Sequence, residues 1–300
     1  MDSPKVSICI PTYNQTHYLS KLLDSIAIQT YKNFEVIISD DSSNEDVKNL
    51  VEGYKHKFNI LYYKNISALG TPSNWNKAVE LSKGNLIKIM HHDDWFTYSN
   101  SLEKFILKAQ ECNNKLIFSE AISFNEKENT KKIHTPGTIF LKELVLNPDY
   151  LYLGNLIGPP SSVLFNRNDY IKFNSKLKWL VDIDFYISTL KKTNGFCFIN
   201  EPLITSVNNG VHNVSNDCMI PEVEVYEFAY LFTKLDKQTR KNNTFKNVLM
   251  NVLIRYNINT IDEFKKYSGN IVIDKILKKI IRSAKISMNF KKIKSYFYVN

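Results

Sequence analysis

Residues 84–94 read G-N-L-I-K-I-M-H-H-D-D, a largely apolar run that ends in two histidines and two aspartates. The apolar part, residues 86–90, is short and rich in isoleucine, and a glycine precedes it, which is typical of a buried β-strand. The four polar residues follow without a spacer. We therefore predict a strand that carries Asp93 and Asp94 at its carboxyl end.

The same arrangement occurs earlier in the chain, where two more predicted strands end in polar residues. Residues 5–10 lead into Pro11-Thr12-Tyr13-Asn14, and residues 35–39 lead into Asp40-Asp41-Ser42. Apolar residues at helical spacing separate the strands, which indicates βαβ units around a mostly parallel central sheet with helices on both faces. Residues 1–95 thus predict an α/β fold, with strands at 5–10, 35–39, 59–63 and 86–90 and helices at 18–27, 47–54 and 74–82.

The pattern after residue 95 is less regular. It predicts a helix at 101–112, a strand at 115–124, a polar loop at 126–136, a strand at 161–165 and a helix at 182–192. After His212 it changes to long helical segments that continue to the end. We therefore expect one α/β domain at residues 1–215 and a basic helical C-terminal region at residues 216–300.

Charge is distributed unevenly along the 300 residues. The formal net charge is +9, and 43% of the residues are hydrophobic, which excludes disordered and low-complexity classes. Residues 241–300 hold 13 Lys and Arg against three acidic residues, or +10, whereas residues 1–240 hold 26 basic and 27 acidic residues, or −1. The main domain therefore has no basic excess, and nucleic-acid binding through the tail, which lacks a recognisable motif, is a weaker alternative.

The sequence also favours a cytosolic protein with reduced thiols. No apolar run approaches the ~18 residues of a membrane span, and the first residues predict a strand and not a signal peptide. Neither a disulfide nor a zinc site is expected, because no paired or C-x-x-C spacing links the four cysteines, which are Cys9, Cys112, Cys197 and Cys218.

The three polar clusters are candidates for one binding site. Ligands of open α/β sheets bind beyond the carboxyl ends of the strands, where these clusters would converge. Asp40 and Asp41 could instead cap the following helix or form a turn, but one aspartate is enough for a cap. We therefore assign Asp41 to ligand binding and leave both readings open for Asp40.

Asp93 and Asp94 predict a metal site. Two adjacent carboxylates repel each other unless a cation lies between them and something they bind, although a solvated turn is the alternative. Hard oxygen ligands favour Mg²⁺ or Mn²⁺. At most one of His91 and His92 can join them, because neighbouring strand residues point to opposite faces. The chain lacks the glycine-rich signatures of P-loop nucleotidases and dinucleotide oxidoreductases.

Five motifs lie in order along residues 4–215: 6–14 (V-S-I-C-I-P-T-Y-N), 25–34 (S-I-A-I-Q-T-Y-K-N-F), 35–43 (E-V-I-I-S-D-D-S-S), 84–94 and 179–186 (W-L-V-D-I-D-F-Y). Together they resemble the family 2 glycosyltransferases, which have the Rossmann-like GT-A fold. The resemblance implies inverting transfer of a sugar from a nucleotide-diphosphate donor, with a divalent metal, Mn²⁺ or Mg²⁺, as cofactor.

The resemblance also implies roles for single residues. Asp94 would coordinate the metal that bridges the diphosphate, and Asp41 would accept a hydrogen bond from the base. Donor binding as a whole would involve Pro11, Thr12, Tyr13, Asp41, Asp93 and His212, of which the first three line the base pocket, Asp93 approaches the ribose and His212 lies near the diphosphate.

Asp182 matches the catalytic aspartate of the family, which takes the proton of the acceptor hydroxyl. It begins a predicted helix whose dipole helps to keep it ionised, with Asp184 in support; an ordinary N-cap is the alternative from the residues alone. The chain departs from the family at His91 and Val181, where acidic residues are frequent. These departures affect the detail of ribose, metal and acceptor contacts.

These residues together predict an inverting, metal-dependent glycosyltransferase. Its acceptor would be a saccharide, favoured as lipid-linked, in the synthesis of bacterial O-antigen or capsule. A non-catalytic nucleotide-sugar-binding protein is the alternative, and the presence of Asp182 beside Asp41 and Asp94 argues against it. We expect the protein in the cytoplasm, peripheral at the inner face of the cell membrane.

The tail could supply that membrane contact. Its apolar residues recur on one helical face and its basic residues on the other, as in helices that bind anionic membranes. Packing of this face on the catalytic domain is an equal alternative, although aromatic residues at 290 and 296–298 favour the membrane. The apolar face comprises Ile273, Ile276, Leu277, Ile280, Ile281, Ala284 and Met288, and the basic face comprises Lys275, Lys278, Lys279, Arg282 and Lys285.

Overall fold

The computed structural model describes residues 6–113, 115–207 and 218–297, with side chains as far as residue 289. Strands from these residues form one sheet in the order β3-β2-β1-β4-β8-β6-β9-β5, with β7 paired to β6. The strands are β1 (Val6–Thr12), β2 (Phe34–Asp40), β3 (Ile60–Lys64), β4 (Leu86–Ile89), β5 (Asp94–Phe96), β6 (Leu116–Asn125), β7 (Thr130–His134), β8 (Val163–Asn166) and β9 (Phe196–Val207).

The helices fall into two compact units of the chain. The first unit comprises Met1–Pro148, Asn155–Lys176 and Val181–Asn213, and the second comprises Asp149–Gly154, Leu177–Leu180 and Val214–Asn300. The first holds the sheet with α1 (His17–Ala27), α2 (Asp46–Glu52), α3 (Ser73–Leu81), α4 (Ser101–Glu111), α5 (Thr138–Leu146) and α6 (Val181–Thr193). The second holds α7 (Pro221–Lys234), α8 (Asn243–Arg255), α9 (Ile261–Ser268) and α10 (Lys275–Phe297).

The α/β class is confirmed, and so are the C-terminal helices. The sheet is parallel from β3 to β4, because β1 pairs in parallel with both β2 and β4 and β2 with β3. Beyond β4 it is mixed: β8 is antiparallel to both of its neighbours, whereas β6 and β9 are parallel. The helices bury apolar faces on this sheet, as α1 does with Leu22 and Ile26. Parallel pairing brings the carboxyl ends of β1, β2 and β4 to one edge.

The predicted polar loop at residues 126–136 contains a strand instead. β7 forms an antiparallel hairpin with β6, in which Ala121 lies opposite His134 and Asn125 opposite Thr130. Polar and charged residues fill β7 because it is an exposed edge strand, where lysines also block pairing with other chains. Such a strand lacks the apolar alternation from which strands are predicted.

The expectation of reduced thiols is wrong for two of the four cysteines. Cys112 and Cys197 form a disulfide, whereas Cys9 and Cys218 are free and buried. Cys112 and Cys197 are 85 residues apart, so no local spacing in the sequence indicates that they pair. The fold brings Cys112 and Cys197 together because β6 and β9 run parallel. Cys197 on β9 lies opposite Ile117 of β6, and Cys112 lies just beyond the end of α4, which precedes β6.

The apolar face of the tail is used for packing within the helical unit. α10 lies against α8, and its residues Leu277, Ile280, Ile281, Ala284 and Met288 are buried. The basic residues of the opposite face are exposed. The face is thus covered by a neighbouring C-terminal helix, and association of the tail with a membrane stays a prediction. The aromatic side chains at 290 and 296–298 lie outside the described side chains.

No helix among the described residues combines the length and the hydrophobicity that crossing a bilayer requires.

Candidate active site

Asp40 is the buried centre of the polar network at the ends of β1 and β2. Its Oδ1 accepts hydrogen bonds from Thr12 Oγ1 at 3.0 Å and from the Ser42 backbone N at 2.8 Å. Its Oδ2 accepts from Tyr62 Oη at 2.7 Å, with Lys64 Nζ at 3.5 Å. These contacts hold the strand ends in place, so of the two readings left open for Asp40 the geometry favours the structural one.

Asp41 turns its carboxylate towards the segment that follows β3. Oδ1 accepts hydrogen bonds from Asn65 Nδ2 at 2.8 Å and from the Leu69 backbone N at 3.0 Å, and Oδ2 accepts from the Gly70 backbone N at 2.9 Å. Gly70 has a positive φ of 70°, a conformation that favours glycine. Asp41 thus fixes the backbone of residues 65–70 beside the polar edge.

The three residues after the centre of β1 differ in exposure. Pro11 and Thr12 are buried in the strand, opposite Ser39 and Asp40 of β2. Tyr13 follows with 57% of its surface exposed. An exposed aromatic ring beside buried polar groups is a surface on which a flat ring can stack.

His91, Asp93 and Asp94 form a compact group of possible metal ligands. One ligand atom from each lies within 4.8 Å of the others. Burial, and after it the neighbouring Asp93 carboxylate, raise the pKa of Asp94. Burial lowers the pKa of His91, which keeps the imidazole neutral and able to donate a lone pair to a metal.

These residues fit a divalent cation. The Nε2 atom of His91 is buried and has no hydrogen-bond partner within the described part of the chain. Two carboxylates held this close repel each other, and a cation between them removes that cost. An oxygen-rich set with one imidazole suits Mn²⁺ or Mg²⁺ better than a soft metal. Asp94 itself begins a separate strand, β5, opposite Ser206 of β9, whereas the sequence predicted it at the carboxyl end of the preceding strand.

Asp182 lies in the first turn of α6 and is partly exposed. Its Oδ2 accepts a hydrogen bond from Asn155 Nδ2 at 2.6 Å, and its Oδ1 accepts from the Ile183 backbone N at 2.8 Å. Asn155 also bonds both the N and the O of Gly158, each at 3.0 Å. Asp184, on the same turn, is buried. These donors fix the orientation of the Asp182 carboxylate at the start of α6.

Tyr186 is a buried residue of α6, one turn after Asp182. Burial raises the pKa of this phenol, and the charges of Asp182 and Asp94 raise it further. Its hydroxyl donates to the Gly158 carbonyl at 3.2 Å. Asn155 bonds Asp182 and Ser161, six residues later, bonds Asp94, so one short segment brings the two carboxylates to the same region although they lie 88 positions apart in the sequence. His212 lies outside the described residues.

Three residues of this region have no counterpart in the sequence analysis. They are Asn155, which orients Asp182; Ser161, whose hydroxyl donates to Asp94 Oδ2; and Tyr186. Asn155 and Ser161 belong to an irregular stretch with Gly158 and two prolines, where no periodic pattern marks a buried position. Tyr186 ends the motif 179–186 and has the spacing of an apolar helix position, which conceals its polar contact.

The chain matches the family model of glycosyl transferase family 2 over residues 7–173. It is 29% identical over 208 residues to an uncharacterised glycosyltransferase of Methanocaldococcus jannaschii, a match that covers 68% of this chain and 71% of the relative. It is 28% identical over 245 residues to one of Rickettsia typhi, covering 79% and 74%.

Solved structures have the same fold. S. aureus TarS 1-349 in complex with UDP-GlcNAc superposes with a TM-score of 0.65 at 18% identity, covering 92% of this chain and 79% of that fragment. The mannosyltransferase PcManGT of Pyrobaculum calidifontis, in complex with GDP-Man and Mn²⁺, gives 0.54 at 12% identity, covering 96% and 88%. The family match spans more than half of the chain, and the architecture is that of the GT-A enzymes. The chain belongs to glycosyl transferase family 2 and is a glycosyltransferase with the GT-A fold.

Proposed function

We propose that this glycosyltransferase moves a sugar, with inversion, from a nucleotide-diphosphate donor to a hydroxyl of a saccharide acceptor. The observation that carries the proposal is the pairing of a candidate cation-binding group, His91, Asp93 and Asp94, with a partly exposed carboxylate, Asp182, both bonded by residues 155–161. Departure of a diphosphate with the help of a metal needs a cation-binding group, and deprotonation of a hydroxyl needs a carboxylate that can act as a base. The fold neighbours that bind UDP-GlcNAc and GDP-Man support a nucleotide-sugar donor.

The donor would bind along the polar edge formed by β1 and β2. Tyr13 offers an exposed ring to the base, beside Pro11 and Thr12. Asp41 would accept a hydrogen bond from the base as well as those from residues 65–70, because a carboxylate has about four acceptor positions. Asp93 would approach the ribose, and His212 the diphosphate.

His91, Asp93 and Asp94 would hold a divalent cation, Mn²⁺ or Mg²⁺, with Asp94 as the principal ligand. A cation bound there supplies positive charge to the diphosphate as it departs. The neutral imidazole of His91 adds a nitrogen ligand without adding a charge of either sign. The site thus gains a third ligand atom without a third negative charge beside Asp93 and Asp94.

Asp182 would act as the general base. It would accept the proton of the acceptor hydroxyl as that oxygen attacks the anomeric carbon, so that a single in-line displacement turns an α-linked donor into a β-linked product. Asn155 fixes the orientation of the carboxylate through a hydrogen bond to one oxygen. A protein that only bound nucleotide sugars would need no base at this position.

For the acceptor we propose a lipid-linked saccharide of bacterial O-antigen or capsule synthesis, used in the cytoplasm at the inner face of the membrane. Support comes from α5, whose residues Ile139, Val145 and Leu146 are 77%, 68% and 79% exposed, while only Leu144 is buried. Exposed lysines lie on this helix and on the strand before it, at Lys131, Lys132 and Lys142. An apolar face with basic neighbours is complementary to an anionic bilayer.

Co-sedimentation with vesicles of phosphatidylglycerol and phosphatidylcholine tests this surface. We expect the paired substitution Ile139→Glu with Leu146→Glu to abolish binding, and the control pair Lys278→Gln with Lys279→Gln on α10 to reduce it only slightly. Binding that both pairs leave unchanged would refute the α5 surface. A dimer that the α5 pair dissociates, without vesicle binding, would make the face a contact between copies instead.

The enzymatic proposal is tested by a screen of nucleotide sugars, beginning with UDP-GlcNAc and GDP-Man, for hydrolysis in Mn²⁺, Mg²⁺ or EDTA. We expect one donor to be hydrolysed, with the activity lost in EDTA and in Asp94→Ala, because the cation loses its carboxylate anchor. Thermal stabilisation by the same donor measures binding separately. Full activity in EDTA would contradict the metal assignment.

A further inference from the structure

Ser161 links two of the proposed cation ligands through one hydroxyl group. It is fully buried in a short 3-10 turn, Pro160–Ser162, that precedes β8. Its Oγ donates a hydrogen bond to Asp94 Oδ2 and accepts one from the His91 backbone N at 3.1 Å. The hydroxyl therefore ties the rotation of the Asp94 carboxylate to the position of the His91 backbone.

The turn that carries Ser161 is itself anchored by a buried ammonium group. Lys88 on β4 is fully buried, and its Nζ donates to the carbonyls of Ser161 and, at 3.3 Å, of Val163. The same ammonium lies 3.8 Å from the centroid of the Phe105 ring. Burial lowers the pKa of Lys88 well below its ordinary value, and the Asp94 carboxylate opposes this shift and favours the ammonium form.

Burial of a lysine is expensive, and an apolar residue would fill the same volume at lower cost. The ammonium of Lys88 is directed at the backbone of the turn that supports Asp94, and an apolar side chain could not hold that carbonyl. Two successive hydrogen bonds thus connect Lys88 of β4 with Asp94. The first runs from Lys88 to the Ser161 carbonyl and the second from the Ser161 hydroxyl to Asp94.

We propose that Ser161 is a positioning residue for the cation: it holds the Asp94 carboxylate and the His91 backbone in the arrangement that a divalent ion requires. This inference rests on the cation site of the proposed function. Groups that orient metal ligands in this way contribute about 10–100-fold to metal affinity. Ser161 would therefore set how tightly the ion is held without touching it.

The test compares Ser161→Ala with Ser162→Ala, a matched control in the same turn. Ser162 is equally buried, but its hydroxyl donates only to the carbonyls of Ile157 and Pro159. Mn²⁺ affinity is measured by electron paramagnetic resonance of the free ion, with Mn²⁺ alone and with Mn²⁺ plus UDP or GDP. We expect about 10–100-fold weaker Mn²⁺ binding by Ser161→Ala and unchanged binding by Ser162→Ala.

A second readout separates positioning from general stability. Donor hydrolysis by Ser161→Ala should recover at high Mn²⁺ with the donor KM near that of the wild type, which a misfolded protein would not do. If Ser161→Ala fails to fold, Ser161→Cys replaces it, because a thiol fills the volume and donates only weakly. Equal Mn²⁺ affinity of wild type and both Ser161 variants would overturn the positioning role alone. A wild type that binds no Mn²⁺ under any condition overturns the cation site and this role together.

Discussion

At Asp182 the surroundings favour a negative charge that the solvent can reach. Its two oxygens accept hydrogen bonds from Asn155 Nδ2 and the Ile183 backbone N, and the side chain is only partly covered. Its position in the first turn of α6 adds the favourable helix dipole. These features describe a capping aspartate as well as a general base, and substitution distinguishes the two.

We expect Asp182→Asn to reduce sugar transfer by about 10²–10⁴-fold while donor binding stays near the wild-type value, because the amide keeps the volume but cannot take a proton. Transfer is followed by product formation, and donor binding by thermal shift. Asp46→Asn, at the exposed start of α2, is the control. Transfer within about tenfold of wild type would leave Asp182 as a helix cap only.

Between elements, the disulfide connects two segments that the sheet already brings side by side. Cys112 follows α4, and Cys197 is the second residue of β9. Further along β9, Thr205 and Ser206 lie opposite Trp95 and Asp94 of β5. One long strand, β9, thus runs from the disulfide to Asp94 of the candidate metal site.

Loss of this disulfide should destabilise the protein by roughly 2–4 kcal/mol, because the 85-residue separation gives the reduced unfolded chain more freedom. Dithiothreitol should lower the Tm of the wild type. The double variant Cys112→Ser with Cys197→Ser should melt at that lower temperature with or without reductant. Four reactive thiols in the denatured, unreduced protein would show that the bond is absent.

In the helical unit a buried carboxylate connects α7 to the segment Leu177–Leu180. Glu227 accepts backbone hydrogen bonds from Lys178 at 2.5 Å, Trp179 at 3.0 Å and Leu180 at 2.7 Å. Burial raises the pKa of Glu227, and the three backbone donors act against that rise. The Glu227 carboxylate therefore accepts the backbone hydrogen bonds of this segment, which in a helix or sheet would go to backbone carbonyls.

Glu227→Ala should lower the free energy of unfolding by about 1–3 kcal/mol, because it leaves backbone donors without their acceptor. Glu222→Ala, at an exposed position of the same helix, should change it by less than about 0.5 kcal/mol. Urea unfolding followed by circular dichroism gives both values. Equal effects of the two substitutions would argue against a role for Glu227 in holding this segment.

At the scale of the whole molecule, the positive charge of the chain belongs to a structural helix. α10 buries its apolar face within the helical unit, and its lysines and arginine as far as residue 285 are exposed. The net charge of +9 therefore reflects the solvated side of a packed helix more than a dedicated binding surface. The vesicle experiment on α5 and α10 measures the two contributions separately.

A chain that ends near residue 270 should be strongly destabilised, because it loses five buried side chains of α10, worth roughly 5–10 kcal/mol by area. We expect a lower Tm and increased binding of a hydrophobic dye. The pair Lys278→Gln with Lys279→Gln removes charge but no buried surface, and should melt within a few degrees of wild type. If the shortened chain melts at the wild-type temperature, the packing of α10 contributes little.

The α/β fold was predictable because strand and helix periodicity is local. The apolar runs that lead to Thr12, Asp40 and Asp94 marked strand ends to within a few residues. Contacts between distant segments left no such mark: the disulfide, the hydrogen bond of Asn155 to Asp182, and that of Ser161 to Asp94. The two hydrogen bonds depend on the irregular stretch 155–161, whose position is set by its neighbours in space and not by a repeating pattern.

The way in which Asp41 holds residues 65–70 bears on how this enzyme could acquire a new donor. The carboxylate bonds the backbone of Leu69 and Gly70, so its hold on the segment is independent of the side chains between them and Asn65. Ile66 is fully exposed. Randomising residues 66–68 in a library would therefore vary the rim of the proposed nucleotide site on a fixed backbone, and selection for a new base preference should leave the fold intact.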